Sequence, residues 1–457
     1  MPIAESIFRP YDIRGIVDTD LDEAAVFQIG QAFASTALAQ QQQTVVIGRD
    51  GRLSSPRLST ALAEGLQQGG CDVVDIGMAP TPVLYFATHY LNTGTGIMIT
   101  GSHNPPDYNG LKMLLNGQTL YGEAITGLYQ RIVSGRLNHG HGHYRRQSVL
   151  PHYYDAILGN IKLERPLNIG IDCGSGAAAI LATELFTRLG CTVTGLSCEV
   201  DGNFPHHHPD PSRPENLRAL QAAIREHSLD IGLAFDGDAD RLGVLDDQAR
   251  VLWPDRQLML FAEDILQRKP GAQIIYDVKS TANLDGFVKQ RGGRPLMWKS
   301  GHSLLKAKLQ ETGAELAGEL SGHLFFSDRW FGFDDGLYSG ARMLELLSRQ
   351  DQPASVLFDR LPDAVNTPEL QIPFAEGEHY RFMQRFIRQS VFPGADKITL
   401  DGIRINYNDG WGLVRASNTT PCLVLRFEAD DEKALRRIQQ TFRQQLLAVD
   451  SRIKLPF

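Results

Sequence analysis

The sequence predicts an α/β protein: three similar α/β, mixed-sheet domains in tandem, then a smaller C-terminal α+β domain, around a central cleft. Three observations carry this. The chain has 457 residues, room for about three domains at ~150 residues each. An order of strand, helical stretch, strand, helical stretch and strand is written three times. After about residue 364 the order gives way to strand-rich segments broken by two amphipathic ones.

The first strand of each unit is an apolar run closing on an aspartate. These are TVVIGRDGR (44–52, Asp50), LNIGIDCGSG (167–176, Asp172) and QIIYDVKS (273–280, Asp277). Helical spacing follows, as in LSTALAEGLQQGG (58–70) and AAILATELFTRLG (178–190). The second strands are CDVVDIG, CTVTGLS and RPLMW. The third strands end on polar loops: GIMITGSHNP (96–105), IGLAFDGDADR (231–241) and AELAGELSGH (314–323). Ligands of layered α/β sheets gather beyond strand ends, so three equivalent loops are expected to face one cleft. In the last part, LQIPF, ITLDGIRINY, WGLVRAS and CLVLRFEA read as strands, and EHYRFMQRFIRQ and EKALRRIQQTFRQQLLAV as helices. Asn408-Asp409-Gly410 marks a hairpin. The expected domains are 1–148 (TGSHNP loop), 149–250 (FDGDADR loop), 251–363 (GELSGH loop) and 364–457 (RASNTTP loop).

Composition narrows the function. Hydrophobic content of 42% and charged content of 21% suit a globular chain. A net charge of −8 argues against nucleic acid as a partner. No apolar run reaches the ~20 residues of a membrane helix, so no membrane partner is expected. MPIAESIFRPYDIRG lacks the pattern of a secretory signal. The five cysteines include no CxxC and read as buried free thiols, with a cytoplasmic location expected.

Asp236, Asp238 and Asp240 in FDGDADR follow an apolar strand at alternate positions. Three crowded carboxylates repel unless a cation sits among them, and hard oxygen ligands suit Mg²⁺ or Ca²⁺. An EF-hand is excluded, because its Gly and Glu positions hold Arg241 and Asp247. A guanidinium beside that cation implies an anion, most naturally phosphoryl. In TGSHNP, Ser102 beside such a loop suits a phosphate carrier. A Ser–His hydrolase is the competing idea, but GxSxG is absent and adjacent side chains on an extended loop diverge. Pro105 and Pro106 stiffen the loop. Asn116-Gly117 marks a hairpin that would put Lys112 on a strand within reach of Ser102. Glu319, Ser321 and His323 alternate in GELSGH. On an extended segment they would share a face suited to sugar hydroxyls, although a lone histidine is more often structural. RASNTTP carries Arg415, Ser417, Asn418, Thr419 and Thr420, either a phosphate nest or an ordinary turn. HHHPDP (206–211) is read as an exposed loop, and Asp334 and Asp335 as helix N-caps.

Taken together and in order, FRPYDIRG, TGSHNPPDYNG, FDGDADR, DVKS, KSGHS, GELSGH and WGLVRASNTTP resemble the α-D-phosphohexomutases. The resemblance is closest to the bacterial phosphomannomutase/phosphoglucomutase group and covers essentially the whole chain. It implies a monomer of four domains, the fourth a lid. It implies interconversion of hexose 1-phosphate and hexose 6-phosphate, of mannose and of glucose, through phospho-Ser102. Hexose 1,6-bisphosphate would be intermediate and activator. One Mg²⁺ would be held by Ser102, Asp236, Asp238 and Asp240. Lys112, Arg241 and His323 would join Ser102 in catalysis. Tyr11, Arg14, Lys279, His302, Glu319, Ser321, Arg415, Ser417, Asn418 and Thr419 would bind substrate. Ala239 stands where close relatives often have Gly. If its φ is positive, Ala costs about 1 kcal/mol there. The alternatives are an aspartyl-phosphate phosphatase or mutase using Asp236, a phosphoglucosamine mutase, and a non-catalytic sugar-phosphate-binding regulator.

Overall fold

The structure, a computed structural model, describes residues 3–375, 377–418 and 420–457. Four sheets organise the chain, and the first three share one scheme. The aspartate-ending strand lies inside: Thr44–Arg49, Asn168–Asp172 and Gln273–Asp277. The second strand flanks it in parallel: Asp72–Met78, Thr192–Leu196 and Arg294–Trp298. The third, also parallel, flanks its other side: Gly96–Ile99, Ile231–Phe235 and Leu316–Gly318. A fourth strand then returns antiparallel to the third: Tyr108–Leu115, Leu242–Asp246 and Leu324–Phe326. The sheets are therefore mixed, and each polar loop is the turn of a hairpin. Strands covered on both faces need continuous apolar runs, as Ile231–Phe235 shows by being buried throughout.

The sequence reading missed strand Ile13–Ile16, which pairs antiparallel with Tyr108–Leu115 and carries the N-terminal segment to the cleft. ITLDGIRINY is two strands rather than one, Asp396–Ile398 and Ile403–Tyr407. The chain reverses at Gly402, whose φ of +75° breaks the extended run. AAILATELFTRLG is also interrupted. A 3₁₀ turn Ala177–Ile180 precedes helix Ala182–Arg188, with Leu181 between them at φ −141°.

The fourth sheet is antiparallel, with helices Glu378–Gln389 and Glu432–Val449 closing an apolar core around Phe382, Phe386, Ile438 and Phe442. The largest core takes residues from all three preceding sheets, among them Val74, Ile171 and Ile274. The three hairpin loops are thus mounted on one continuous body. The last sheet joins it through a small apolar cluster of Val278, Met297, Trp411 and Leu413 and through polar contacts. Arg404 donates to the Val278 and Ser280 carbonyls at 2.6 and 2.9 Å, and Thr281 Oγ1 donates to Glu428 at 2.9 Å.

Candidate active site

The TGSHNP loop is held in an uncommon backbone shape. Ser102 has φ +49°, and its N–H donates to Thr100 Oγ1 at 2.8 Å. Such strain persists only where surroundings impose it. Here the buried guanidinium of Arg52 imposes it, donating to the carbonyls of Ser102 (2.8 Å), Asn104 (2.6 Å), Pro105 (2.5 Å) and Tyr108 (3.0 Å). Asp50 accepts from Gly101 N at 3.1 Å and pairs with Arg52 at 3.3 Å. The loop is built so that Ser102 Oγ points out of it, donating to Asp236 Oδ2 at 3.1 Å.

Asp236, Asp238 and Asp240 are fully buried, and each offers an oxygen within 4.8 Å of the others. Gly237 lets the two loops meet, since a Cβ there would lie 2.3 Å from the Ser102 carbonyl oxygen. Ala239 sits at φ +60°, so the positive φ considered for it is present. Burial, then the charges of Asp240 and Asp238, push the Asp236 carboxyl well above its usual value. Burial also works against ionised Asp238, but Lys112 outweighs it and holds that carboxyl below the usual range. Lys112 Nζ donates to Asp238 Oδ2 at 2.6 Å and to Asp240 Oδ2. Thr81 Oγ1 also donates to Asp238 Oδ2, at 2.5 Å. Asp238 Oδ1 and Asp240 Oδ1 are buried with no hydrogen bond among the described residues. Buried, unsatisfied carboxylate oxygens beside a serine hydroxyl fit a hard divalent cation such as Mg²⁺.

From Arg241 a chain of contacts reaches the third domain. Arg241 N–H donates to Asp236 Oδ1 at 3.2 Å, and its Nε–H to His323 Nε2 at 3.0 Å. His323 Nε2 is therefore an acceptor, and Nδ1 carries the proton, 3.0 Å from Asp334 Oδ2. Lys306 donates to Asp334 Oδ1 at 2.8 Å. His302 stacks on His323 with ring centroids 5.4 Å apart. Asp335 does cap helix Gly336–Ser348, accepting from Tyr338 N–H. Asp334 does not: it lies fully buried between Lys306, His323 and His302, correcting its reading as a cap. The tract His206–Pro211 is likewise more engaged than an exposed loop. His207 Nε2 lies 2.9 Å from Asp172, and Asp210 is buried.

GELSGH is not the extended segment expected. Gly322, at φ +102°, turns it back, so that Glu319 N–H donates to the His323 carbonyl at 2.9 Å. Glu319 and His323 thus meet across a turn rather than along one face of a strand. Glu319 accepts from Gly301 N at 2.7 Å, and burial raises its carboxyl above the usual value. Ser321 is half-buried on the same turn. Lys279 lies 2.8 Å from Glu369 of the fourth domain.

Arg415 donates to Asp401 at 3.0 Å, and Asp401 also accepts from Ser300 N at 3.1 Å. Ser417 Oγ lies 3.1 Å from Thr420 Oγ1, and Asn418 donates to the Tyr11 hydroxyl. Thr419 lies outside the described residues. Tyr11 OH in turn donates to the Ser300 carbonyl at 3.1 Å, and its ring meets His302 edge-on. Arg14 donates to Asn104 Oδ1 at 2.5 Å, behind the serine loop.

The expected residues thus fall into two connected groups. One gathers Ser102, Lys112, Asp236, Asp238, Asp240, Arg241, His302 and His323. The other gathers Tyr11, Lys279, Glu319, Arg415, Ser417 and Asn418. Tyr11 and His302 join them. The sequence reading assigns no role to Arg52, Thr81 or Asp401, and the wrong one to Asp334. The sequence carries a signal for Arg52, which ends the run TVVIGRDGR after the first strand. Two of the repeated strand-end aspartates brace the neighbouring loops. Asp50 braces Gly101, and Asp277 accepts from Ser300 Oγ (2.6 Å) and Leu320 N (3.3 Å).

Comparisons with known proteins cover the whole arrangement. Consecutive stretches match the phosphoglucomutase/phosphomannomutase alpha/beta/alpha domains I (residues 5–138), II (151–249) and III (253–365), and the C-terminal domain of the same enzymes (369–445). A Pseudomonas aeruginosa phosphomannomutase/phosphoglucomutase is 50% identical over 452 residues, spanning 99% of this chain and 98% of its own. A Neisseria gonorrhoeae phosphoglucomutase is 51% identical over 445 residues, spanning 96% of each. A crystal structure of a Burkholderia thailandensis phosphoglucomutase/phosphomannomutase family protein superposes with a TM-score of 0.95 at 53% identity, covering 100% of both chains.

Proposed function

Since the chain belongs to the phosphoglucomutase/phosphomannomutase family, we propose that it is a phosphohexomutase working through phospho-Ser102 on mannose and glucose phosphates. The observation that carries the reading is Ser102 Oγ, projected by a strained loop onto Asp236 at 3.1 Å within a buried carboxylate cluster. Asp236, Asp238, Asp240 and Ser102 would hold Mg²⁺, which supplies positive charge beside the phosphoryl group.

A substrate hydroxyl attacks the phosphorus of phospho-Ser102, and the bond from phosphorus to Ser102 Oγ breaks. The product of that step is a hexose 1,6-bisphosphate. After it turns end for end, Ser102 takes the other phosphate back. His323 Nε2, an acceptor because Nδ1 carries the proton, receives the proton of the attacking hydroxyl once the phosphoryl group draws away the Arg241 Nε–H that occupies it here. Lys112, whose Nζ donates to Asp238 and Asp240, sets a positive charge beside the phosphoryl group and is the second candidate for proton transfer. Arg241 steadies the moving phosphoryl group. Arg415, Ser417, Asn418 and Thr419 grip the distal phosphate, with Lys279, Tyr11, His302 and Arg14 lining the cleft. Glu319 and Ser321 hold O3 and O4, leaving C2 unread. The two 1-phosphates should then differ in kcat/KM by less than ~10³.

The aspartyl-phosphate alternative suits the site less well. Asp236 already accepts from Ser102 Oγ and Arg241 N, as a ligand-holding carboxylate beside the serine would. Ser102→Ala is expected to abolish turnover while keeping sugar-phosphate binding, and intact mass should lose its single added phosphate. Undiminished turnover in that variant would end this reading. Among the described residues no helix is long and apolar enough to cross a membrane. A monomer in the cytoplasm is proposed.

A further inference from the structure

Outside the cleft, the second sheet brings two thiols together. Cys173 follows strand Asn168–Asp172, Cys198 follows the adjacent parallel strand Thr192–Leu196, and their sulfurs lie 3.2 Å apart. Cys173 is buried and Cys198 half-buried, while Cys71, Cys191 and Cys422 are all buried. Cys198 Sγ–H donates to the Leu196 carbonyl at 3.3 Å, leaving the Cys173 thiol as donor between the sulfurs. Gly195 makes room for this, since a Cβ there would lie 3.1 Å from Cys198 Sγ.

The pair is asymmetric. The hydrogen bond from Cys173 lowers the Cys198 thiol below its ordinary value, against burial. The same bond, with burial, raises Cys173 well above it. The more acidic thiol is also the more accessible one, the arrangement in which oxidant reaches one sulfur first and the other resolves it.

These thiols also adjoin the metal loop. Gly176 N–H donates to the Cys173 carbonyl at 2.8 Å, and Ala177 N–H donates to the Gly237 carbonyl at 2.9 Å. A Cβ on Gly176 would lie 2.7 Å from that Gly237 oxygen. Gly237 stands between Asp236 and Asp238. On the other side, Ser175 N–H donates to the Ser197 carbonyl at 2.9 Å. Anything that draws residues 173 and 198 together therefore pulls on a segment hydrogen-bonded to the Gly237 backbone, between two of the clustered carboxylates.

We propose that Cys173 and Cys198 form an oxidative modification site, in which a peroxide-class oxidant makes a disulfide that slows the mutase reaction through Gly237. Cys198 sulfur attacks one peroxide oxygen and the O–O bond breaks. The departing hydroxide takes the thiol proton as water, leaving a sulfenic acid. Cys173 sulfur then attacks Cys198 sulfur, the S–O bond breaks, and a second water leaves with the Cys173 proton. In sum, two thiols and one hydrogen peroxide give one disulfide and two waters, with two electrons passing from sulfur to peroxide. A dithiol reductant reverses it by exchange. Closing the bond brings the sulfurs to about 2 Å, a contraction the segment 173–177 must absorb.

The effect on turnover rests on the function proposed above; the disulfide does not. The full-length protein is treated with hydrogen peroxide, free thiols are alkylated, and peptides are mapped by mass spectrometry alongside a turnover assay. The expected result is a Cys173–Cys198 cross-link with loss of two hydrogens, a several-fold fall in kcat, and recovery with dithiothreitol. Cys198→Ser and Cys173→Ser should keep untreated turnover and lose the reversible response. Peroxide-treated protein in which both thiols still alkylate would overturn the site. A cross-link with unchanged kcat would overturn the coupling to Gly237. An untreated protein with no mutase turnover would count against the proposed function alone, and the mapping would still decide the site.

Discussion

At Arg52 a single side chain fixes the geometry of the candidate phosphate carrier. Removing it takes the guanidinium from four carbonyls, of which Pro105 keeps the Tyr108 N–H and Ser102 is buried, and an unsatisfied buried acceptor costs about 1–3 kcal/mol. Arg52→Ala should therefore lower the denaturation midpoint markedly and cut kcat about 10²-fold. Arg52→Lys should rescue little, because a point charge cannot reach carbonyls spread around a planar fork. Asp334→Asn should lower kcat about 10²-fold with KM changed little, since Asn cannot hold both the His323 Nδ1 proton and the Lys306 ammonium. Ala239→Gly is a balance. Relieving the positive φ gains about 1 kcal/mol, and losing a buried methyl forfeits about 0.8 kcal/mol. Urea melts of that variant should differ from the parent by under ~1 kcal/mol.

Among the elements, the hairpin between third and fourth strands is what positions chemistry. Its contents were legible because Ser102, Asp236 and Glu319 each follow an apolar run at once, within one short window of sequence. Arg52 and Asp334 were not legible in the same way. Their meaning depends on contacts such as Arg52 with Ser102 or Asp334 with Lys306, which no local periodicity encodes. ITLDGIRINY failed for a local reason, since a Gly in a strand pattern marks a reversal as readily as an interruption. The second domain adds a pH-dependent brace. The hydrogen bond that His207 Nε2–H donates to Asp172 raises His207 above its ordinary value, against burial. A base that binds its proton more tightly when folded stabilises fully below about pH 6.5, and that share is lost as pH rises through the folded value. His207→Gln should therefore lower Tm more at about pH 5.5 than at about pH 8.

For the whole molecule, the first three domains share a core while the fourth has its own and meets them through one small apolar cluster and polar contacts, so its relative motion is the expected soft mode. Lys279, expected to meet substrate, is meanwhile satisfied by Glu369 of the fourth domain at 2.8 Å. A substrate phosphate must compete with that carboxylate. Glu369→Gln should lower KM for the hexose phosphate without raising kcat, which steady-state kinetics at low ionic strength would reveal. The fold class was readable at this scale because the unit is written three times. The N-terminal strand Ile13–Ile16 was not, being too short to show a period and pairing with a strand ~95 residues later.

Because each working loop is the turn of an antiparallel hairpin, its two flanking strands are near neighbours in the chain. Contacts of that kind form early, in microseconds for a hairpin, whereas domain docking takes milliseconds or longer. During refolding the three loops should acquire their shapes separately, before any of them faces the others. Catalytic competence would then lag behind the recovery of secondary structure, appearing only when Tyr11 spans from the first domain to Ser300 and Asn418.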